Sequence, residues 1–485
     1  MSAAILRHPA YQEWPADPRD RLPLTLWDAQ SIAEAVGGQA SGDFQVSGVE
    51  MDSRDVVNGD LFFALKGEAM DGHRFLDKAF ENGAAAAVVD RPVDYPHILV
   101  EDTNEALEAL AAASRARTEA KIIGVTGSVG KTGVKEAIFA ALERASRGAA
   151  HRSTRSYNNH VGVPLSLARM PARSRFGIFE MGMNHKGEIE GLTAQVRPHV
   201  AVITTIAPAH IENLGSMEAI ADAKAEIFAG LEEGGVAVIP ADSEYFERLR
   251  LAALRKGAKV VSFGRSKKAD MRLLDAIPSA NGGSLVTCEF DTGRLCYTVA
   301  EPGEHWVANS LAVMAAVRAA GGDMAAAGLA LAEMGGLKGR GERHGIDAPG
   351  GKALLIDESY NANPASMRAT LAQLGQTPSS RRIAVLGSMK ELGDFAAKFH
   401  AGLSESLISA DVDYALLVGD EMGALARELG KPAFNSLGKP LEWEHCKSAE
   451  EAIALLEDFG IVAGDAVLVK GSNSVGLGKL VEHFT

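Results

Sequence analysis

The chain has 485 residues, 46% hydrophobic but only 6% aromatic, with 51 glycines and a net charge of −14 at pH 7. Such a length suits about three domains, and cores of Ala, Val, Leu and Ile joined by many tight turns suit layered α/β architecture. The negative charge excludes a general nucleic-acid or anionic-membrane binder, which needs a basic field, so any anionic substrate must be met by local basic pockets.

Residues 1–22, with Pro9, Pro15 and Pro18, read as a loose leader without the apolar segment of a signal peptide or anchor. Thr25-Leu-Trp-Asp28 has the form of a capping box opening a helix from Ala29 to Val36, which Gly37-Gly38 stops. Gly59-Asp60-Leu-Phe62-Phe63-Ala64-Leu65-Lys66-Gly67 predicts a strand that ends in a polar turn. Asp71-Gly72-His73, a helix over Arg74 to Asn82 and a strand through Val88-Val89 follow. Residues 23–117 thus form a first compact α/β unit of about 100 residues. Ser53, Arg54, Lys66 and His73 fall at ends of elements, where both ligand contacts and ordinary solvated charges lie.

An Ala-rich helix from Thr103 to Ala120 leads into a central region, 118–336. Strands are expected at 121–125, 176–180, 200–204, 236–239 and 259–263. Helices lie between them, among them Met217 to Leu231 and His305 to Ala320. Alternating strands and helices imply a parallel sheet covered on both faces. Three runs near 270–277, 284–290 and 294–300 lack helices between them and read as an antiparallel appendage. Gly339-Arg340-Gly341 and Pro349-Gly350-Gly351 mark a linker. Beyond it, 337–485 predicts a smaller doubly wound unit of strands 353–356, 382–386, 414–418 and 466–469 with helices between. Cys288, Cys296 and Cys446 have no metal-type spacing and suit a reducing cytoplasm. No run approaches the ~20 apolar residues of a membrane-spanning helix.

One stretch carries explicit chemistry. Gly124-Val-Thr-Gly127-Ser-Val-Gly130-Lys131-Thr132-Gly133 joins the 121–125 strand to a helix whose apolar residues share one face. Glycines there let the backbone turn its N–H groups toward phosphate oxygens, and the helix N-terminus favours an anion. Lys131 can reach terminal phosphates and the Thr132 hydroxyl can hold Mg²⁺. The ordinary pattern would put a glycine at Val125, so the spacing departs from it.

Ligands gather where the strands of an open parallel sheet end. Glu180 and His210 fall at such ends, beside Lys131-Thr132. A carboxylate and an imidazole there can complete a metal shell, with Glu suiting Mg²⁺ and His suiting Mn²⁺ better; equally they can cap a helix and order a turn. Lys224, judged alone, is a helix lysine with a solvated head. In the tail, Asp357-Glu-Ser-Tyr360-Asn361-Ala-Asn363-Pro364 ends a strand on acids and starts a helix, with Asn363 as cap and Pro364 at its first position. Lys470-Gly471-Ser472-Asn473 offers a weaker anion site between strand and helix.

Taken together, Thr126-Gly127-Ser128-Val-Gly130-Lys131-Thr132, Tyr157-Asn158-Asn159-His-Val-Gly162-Val-Pro164, Glu180-Met-Gly-Met-Asn184, Ala207-Pro208-Ala-His210 and Asp357-Glu-Ser-Tyr360-Asn361-Ala-Asn363-Pro364 resemble motifs of the Mur ligase family of ATP-dependent amide-bond ligases. Asp52-Ser53-Arg54, Phe62-Phe63-Ala64-Leu-Lys66-Gly67 and Asp71-Gly72-His73 resemble its uridine-nucleotide end. The likeness runs from about residue 25 to 480 and is greatest to the branch that adds D-alanyl-D-alanine to UDP-N-acetylmuramoyl-tripeptide.

The resemblance implies three α/β domains: a small UDP-substrate domain, a central P-loop ATPase domain and a C-terminal Rossmann-like domain. It implies ATP as cosubstrate with Mg²⁺ or Mn²⁺, a cytoplasmic monomer, and no nucleic-acid or membrane partner. Gly127, Ser128, Gly130, Lys131 and Thr132 would hold the ATP phosphates, with Thr132 on Mg²⁺. Glu180 and His210 would take a second ion, with Lys224 at a position that several members carbamylate. Asn309 would meet adenine, and Arg340, Asp357 and Tyr360 would reach the nucleotide from the hinge and C-terminal domain. Ser53, Arg54, Phe63, Lys66 and Gly67 would hold the UDP-sugar, and Asn158, Asn159 and Asn361 the peptide end. The chain departs from the family at Val129 (usually Asn), Gly133 (usually Thr), Ser388 (commonly an acid) and Asn473 (often Arg). Two rivals stay open: a Mur-type ligase adding a single amino acid, and a non-catalytic nucleotide-binding scaffold, which needs no second metal site.

Overall fold

In a computed structural model of the chain the described residues are 25–67, 70–279, 282–430 and 438–485. The expected leader over 1–22 lies outside them.

The described residues up to Glu119 form one compact unit together with Pro164–Ser174. Its sheet runs Gln39–Ala40, His97–Leu99, Ala86–Val89, Asp60–Phe63, Gly48–Glu50, the last four mutually parallel. The first helix spans Ala29–Val36 as expected and ends at Gly37 with φ 64°. Its cap differs from the expectation. Asp28 accepts from the Ser31 amide and Ser31 completes the box, while Thr25 bonds to Gln45. A cap must sit next to the first helical turn to reach its free amides, and Thr25 is too far upstream. Pro164–Ser174 joins this unit through specific bonds. Trp27 Nε1 donates to Ala168 O (2.9 Å), Arg169 pairs with Glu50, and Arg117 lies 3.3 Å over the Trp27 ring. Sequence order hides this, because the segment is read between two central elements.

The second unit holds everything else. Its larger sheet has nine strands in the order Gly293–Val299, Ser284–Phe290, Met271–Pro278, Lys259–Gly264, Val236–Pro240, Val200–Ile203, Lys121–Thr126, Phe176–Glu180, Ala150–Arg152. The P-loop strand Lys121–Thr126 lies between two parallel neighbours, in register Val125↔Glu180 and Thr126↔Ile203, so three carboxyl ends converge. The antiparallel hairpins are a continuation of this sheet, since Met271 pairs in parallel with Phe263. Helices Lys131–Ser146, Glu304–Ala319 and Met324–Glu333 share one core with one face of the sheet. Glu304–Ala319 is apolar around most of its circumference, the pattern of a helix buried on all sides.

The smaller sheet runs Glu342–Ala348, Gly351–Glu358, Ala466–Lys470, Arg382–Gly387, Tyr414–Val418, Glu442–Cys446, parallel except for the first pair. Two of these strands escape the sequence reading. Glu342–Ala348 is a polar edge strand, and Pro349-Gly350-Gly351, read as linker, is its hairpin turn, with Gly350 at φ 91° following the proline. Edge strands face solvent on one side and lack the apolar run that marks a central strand. Asn363 caps the helix Pro364–Gln376 with proline in its first turn, as the sequence predicts.

Candidate functional site

The loop after Thr126 is held open by its own backbone. Gly127 has φ 151° and a Cβ there would lie 1.9 Å from Thr204 Oγ1. Gly130, at φ 88°, is the cap of the Lys131–Ser146 helix and lies beneath Asn309, whose Oδ1 would be 2.8 Å from an added Cβ. Ser128 is tied to the neighbouring strand end, donating from N to Thr205 O (2.9 Å) and from Oγ to Ala207 O (2.8 Å). That bond anchors the Ala207-Pro208-Ala209-His210 stretch beside the loop. Gly133, a departure from the family pattern, has a direct cause: Trp306 packs on it, 2.8 Å from where a Cβ would be. A threonine there would displace the indole.

Thr132 Oγ1 donates to Glu180 Oε2 at 2.9 Å, and Asn158 Nδ2 donates to Glu180 Oε1 at 2.7 Å. Glu180 is 1% exposed and its amide is held by Ser153 Oγ. A hydroxyl and a carboxylate thus converge at the helix start, a hard-oxygen pair of the kind Mg²⁺ prefers. Lys131 folds back on its loop, Nζ to Gly127 O at 2.7 Å. Burial lowers its pKa; the Glu180 carboxylate raises it and Arg340 lowers it again. Lys224 is 2% exposed, and burial followed by the repulsion of Lys131 holds its amine well below the ordinary lysine value. The solvated lysine suggested by its own sequence context is therefore a buried one, because helix Met217–Ala225 turns it inward.

Lys131, Glu180, His210, Lys224, Asn158 and Asn309 line one cleft, which Arg340, Tyr360 and Asn361 close from the C-terminal side. Arg340 bridges the two halves: its guanidinium lies 4.2 Å over the Tyr360 ring and donates to Ser156 Oγ at 3.1 Å. Ser156 also stands 3.5 Å from Thr132 Oγ1, so it links hinge and P-loop; the sequence reading passed over it. Asp357, Arg340 and Tyr360 line an adjoining cavity with Thr132. Asp357 is 2% exposed and accepts from Gly339 N, Ser359 N and Ser359 Oγ, which fixes the hinge turn. Asp357 also lies with Glu342 and His344 in a group whose ligand-type atoms are within 4.8 Å of one another, but its oxygens already carry those three bonds.

His210 reaches the cleft in a left-handed conformation, φ 56°, and its Nδ1 contacts Glu391 Oε2 of the C-terminal domain. Asn159 orders its own turn, accepting from Gly162 N at 2.8 Å. Lys470 is buried and donates to Glu358 Oε2 (3.1 Å) and Asn361 O (3.0 Å), so the Lys-Gly-Ser stretch stabilises the Asn361 turn. At Ser388 the acid common in the family is absent. Burial raises the Glu421 carboxylate, but bonds from Lys390, its own amide and Ser388 outweigh that and leave it at about 2, so Glu421 supplies the anion next to Lys390.

In the first unit the nominated polar residues are tied to neighbours within the unit. Lys66 pairs with Asp90, His73 Nδ1 contacts Asp71 (2.7 Å), and Asp90 N donates to His73 Nε2 (3.2 Å). Arg54, its side chain 83% exposed, pairs with Asp52 at 2.6 Å. Ser53 is buried and its carbonyl accepts from Asn82; Gly67 N bonds to Met70 O. Phe63 is fully buried. Among the described residues no helix is long and apolar enough to cross a membrane, and the three cysteines are free.

Known proteins resemble the chain along most of its length. Models described as Mur ligase family, catalytic domain; Mur ligase middle domain; and Mur ligase, glutamate ligase domain match residues 45–115, 125–317 and 339–473. The UDP-N-acetylmuramoyl-tripeptide--D-alanyl-D-alanine ligase of Rickettsia prowazekii (strain Madrid E) is 32% identical, covering 95% of this chain and 100% of the relative. The enzyme of the same name from Synechocystis is 35% identical, with 95% and 97% covered. Among solved structures, MurF from Acinetobacter baumannii superposes with a TM-score of 0.80 at 30% identity, covering 96% of this chain and 99% of that one. MurF ligase from Thermotoga maritima, in complex with ADP, gives 0.71 at 26% identity, with 90% and 96% covered.

Proposed function

This chain belongs to the Mur ligase family, and we propose that it joins D-alanyl-D-alanine to UDP-N-acetylmuramoyl-tripeptide at the expense of ATP. The observation that carries the catalytic reading is the Thr132–Glu180 contact, 2.9 Å long, beneath Lys131 in a cleft lined by both the central and C-terminal domains.

The residues divide the work as follows. Gly127, Ser128 and Gly130 shape the loop whose amides meet the ATP phosphates. Lys131 swings from Gly127 O to the terminal phosphates, and its burial means that an incoming polyanion relieves an unpaired charge. Thr132 and Glu180 would hold one divalent ion and Glu180 with His210 a second, Mg²⁺ or Mn²⁺; bound there, such ions neutralise phosphate charge. The peptide carboxylate attacks the γ-phosphate to give an acyl phosphate and ADP. The free amine of the dipeptide then attacks the acyl carbon, and the tetrahedral adduct expels phosphate. Arg340, stacked on Tyr360, brings the hinge to the nucleotide, and Asp357 holds that hinge in shape. Asn309, over Gly130, would meet the base.

Lys224 deserves its own role in this scheme. Carbamylation needs a neutral amine, since the lone pair attacks CO₂, and burial beside Lys131 favours that neutral form. The resulting carbamate would turn that buried amine into an oxygen ligand. In the first unit Lys66, Arg54 and the Ser53 turn would receive the uridine diphosphate, while Asn158, Asn159 and Asn361 would face the peptide. We place the enzyme in the cytoplasm and as a monomer.

The test is an assay of the full chain with ATP, Mg²⁺ and the tripeptide nucleotide, with and without D-alanyl-D-alanine, following phosphate release and product mass. Dipeptide-dependent product is expected. Product with a single amino acid instead assigns a sister ligase, and nucleotide binding without any product makes the chain a scaffold.

A further inference from the structure

The His210–Glu391 contact joins two loops that belong to different domains, and both residues adopt the left-handed backbone that non-glycine residues rarely use, at φ 56° and 63°. Such backbone persists where the surroundings over-determine it. Here they do. Met389 N donates to His400 Nε2 (2.9 Å) and Lys390 N to Ser472 Oγ (3.0 Å), anchoring the loop in its own domain. Lys390 itself turns away to Glu421, so it does not neutralise Glu391. From the other side, Glu212 N donates to Glu391 O at 3.3 Å. Gly393 then passes so close that a Cβ would lie 3.0 Å from Glu212 Cγ. Glu391 is thus gripped by backbone, and its carboxylate lies within ion-pair distance of a single buried imidazole nitrogen, His210 Nδ1, for which no hydrogen-bond partner is formed.

We infer that Glu391 is a positioning residue for His210. Its carboxylate holds the Nδ1 proton, so Nε2 keeps the lone pair that a divalent ion requires. Metal-binding histidines work in this way when a carboxylate takes the other ring N–H and fixes tautomer and ring orientation. Because Glu391 comes from the C-terminal domain, the pair forms only when that domain lies against the central one, which links ion binding to the arrival of the amine-carrying domain. The inference rests on the reading of His210 as a metal ligand.

The experiment counts Mn²⁺ ions on the full chain by EPR titration in the presence of a non-hydrolysable ATP analogue, with thermal melting to confirm folding. Two ions are expected on the natural chain. Glu391→Ala should weaken one of them by 10- to 100-fold and leave the other unchanged. Glu391→Gln, which keeps an acceptor oxygen but not the charge, should fall between, and it carries the test if Glu391→Ala does not fold. In a His210→Ala background Glu391→Ala should add nothing. If His210→Ala loses an ion while Glu391→Ala binds both as the natural chain does, the inference is overturned and the metal reading stands. If His210→Ala keeps both ions, the metal reading fails and takes the inference with it.

Discussion

The P-loop cleft and the polar cluster around Lys66 contain the same kinds of side chain and treat their cations in opposite ways. In the first unit Lys66 has Asp90, His73 has Asp71, and Arg91 has Asp71 as well. The Lys66 pKa is accordingly raised, and Asp71 is held far below the carboxylate range by Arg91, the His73 amide and the His73 ring. In the cleft, Lys131 hydrogen-bonds only to a carbonyl and feels the Glu180 carboxylate at longer range, Lys224 is buried, and desolvation is the main cause that depresses both amines. A paired cation can hand its charge from one anion to another at little cost. A desolvated, unpaired one stores an unfavourable energy that an incoming anion, or loss of the proton, releases. The first arrangement suits binding and the second suits chemistry.

Substitutions can sharpen or break that contrast. The largest effect is expected from Lys131→Ala, which removes the cation proposed to meet the transferred phosphate. Turnover should drop on the order of 10³-fold with the melting temperature little changed, and retained ligation would count against the phosphate role. Next, Lys224→Ala should lower kcat on the order of 10²-fold. Removing dissolved CO₂ should reduce the activity of the natural chain and leave that of the variant unaffected, as measured in degassed buffer with and without bicarbonate. By contrast, Lys66→Met should raise KM for the uridine nucleotide about tenfold and leave kcat alone, because a binding cation contributes equally to ground and transition states. An equal fall in kcat would erase the distinction between the two regions.

The last effect is on stability and leaves the chemistry untouched. Burial raises Glu301 to about 7, against the pull of Arg343 and with a push from Glu358. A carboxyl whose folded pKa is raised binds its proton more tightly in the folded state. Its contribution is complete below the unfolded value and is lost as pH rises through about 7. Glu301→Gln should therefore melt like the natural chain at pH 4.5 and above it at pH 8. The difference is at most about 3 kcal/mol, read from denaturant midpoints at the two pH values.

Much of the site is legible in residue order because its parts are local. The P-loop, the carboxylate ending the Phe176–Glu180 strand and the Asn363-Pro364 helix start each sit within a few residues of a recognisable element boundary. The missing pieces are long-range. Ser156 bridges Thr132 and Arg340, which lie far apart in the chain. Trp306 explains Gly133 only once two helices are packed together. Glu391 carries no sequence signal for its target, and the Glu342–Ala348 strand lacks the apolar run of a central strand because it lies at an edge.

Sequence alone pointed to the α/β domains, because hydrophobic periodicity is a short-range property written along the chain, and its motifs carried the resemblance to the family and named most of the residues that line the cleft. Tertiary structure decided their electrostatic state. Whether a lysine is solvated, paired or desolvated depends on which distant side chains surround it, and the same letter stands for Lys66 beside Asp90 and for Lys224 buried in the wall of the cleft. Proton affinity is set by dielectric and neighbours, and neither exists until the chain has folded.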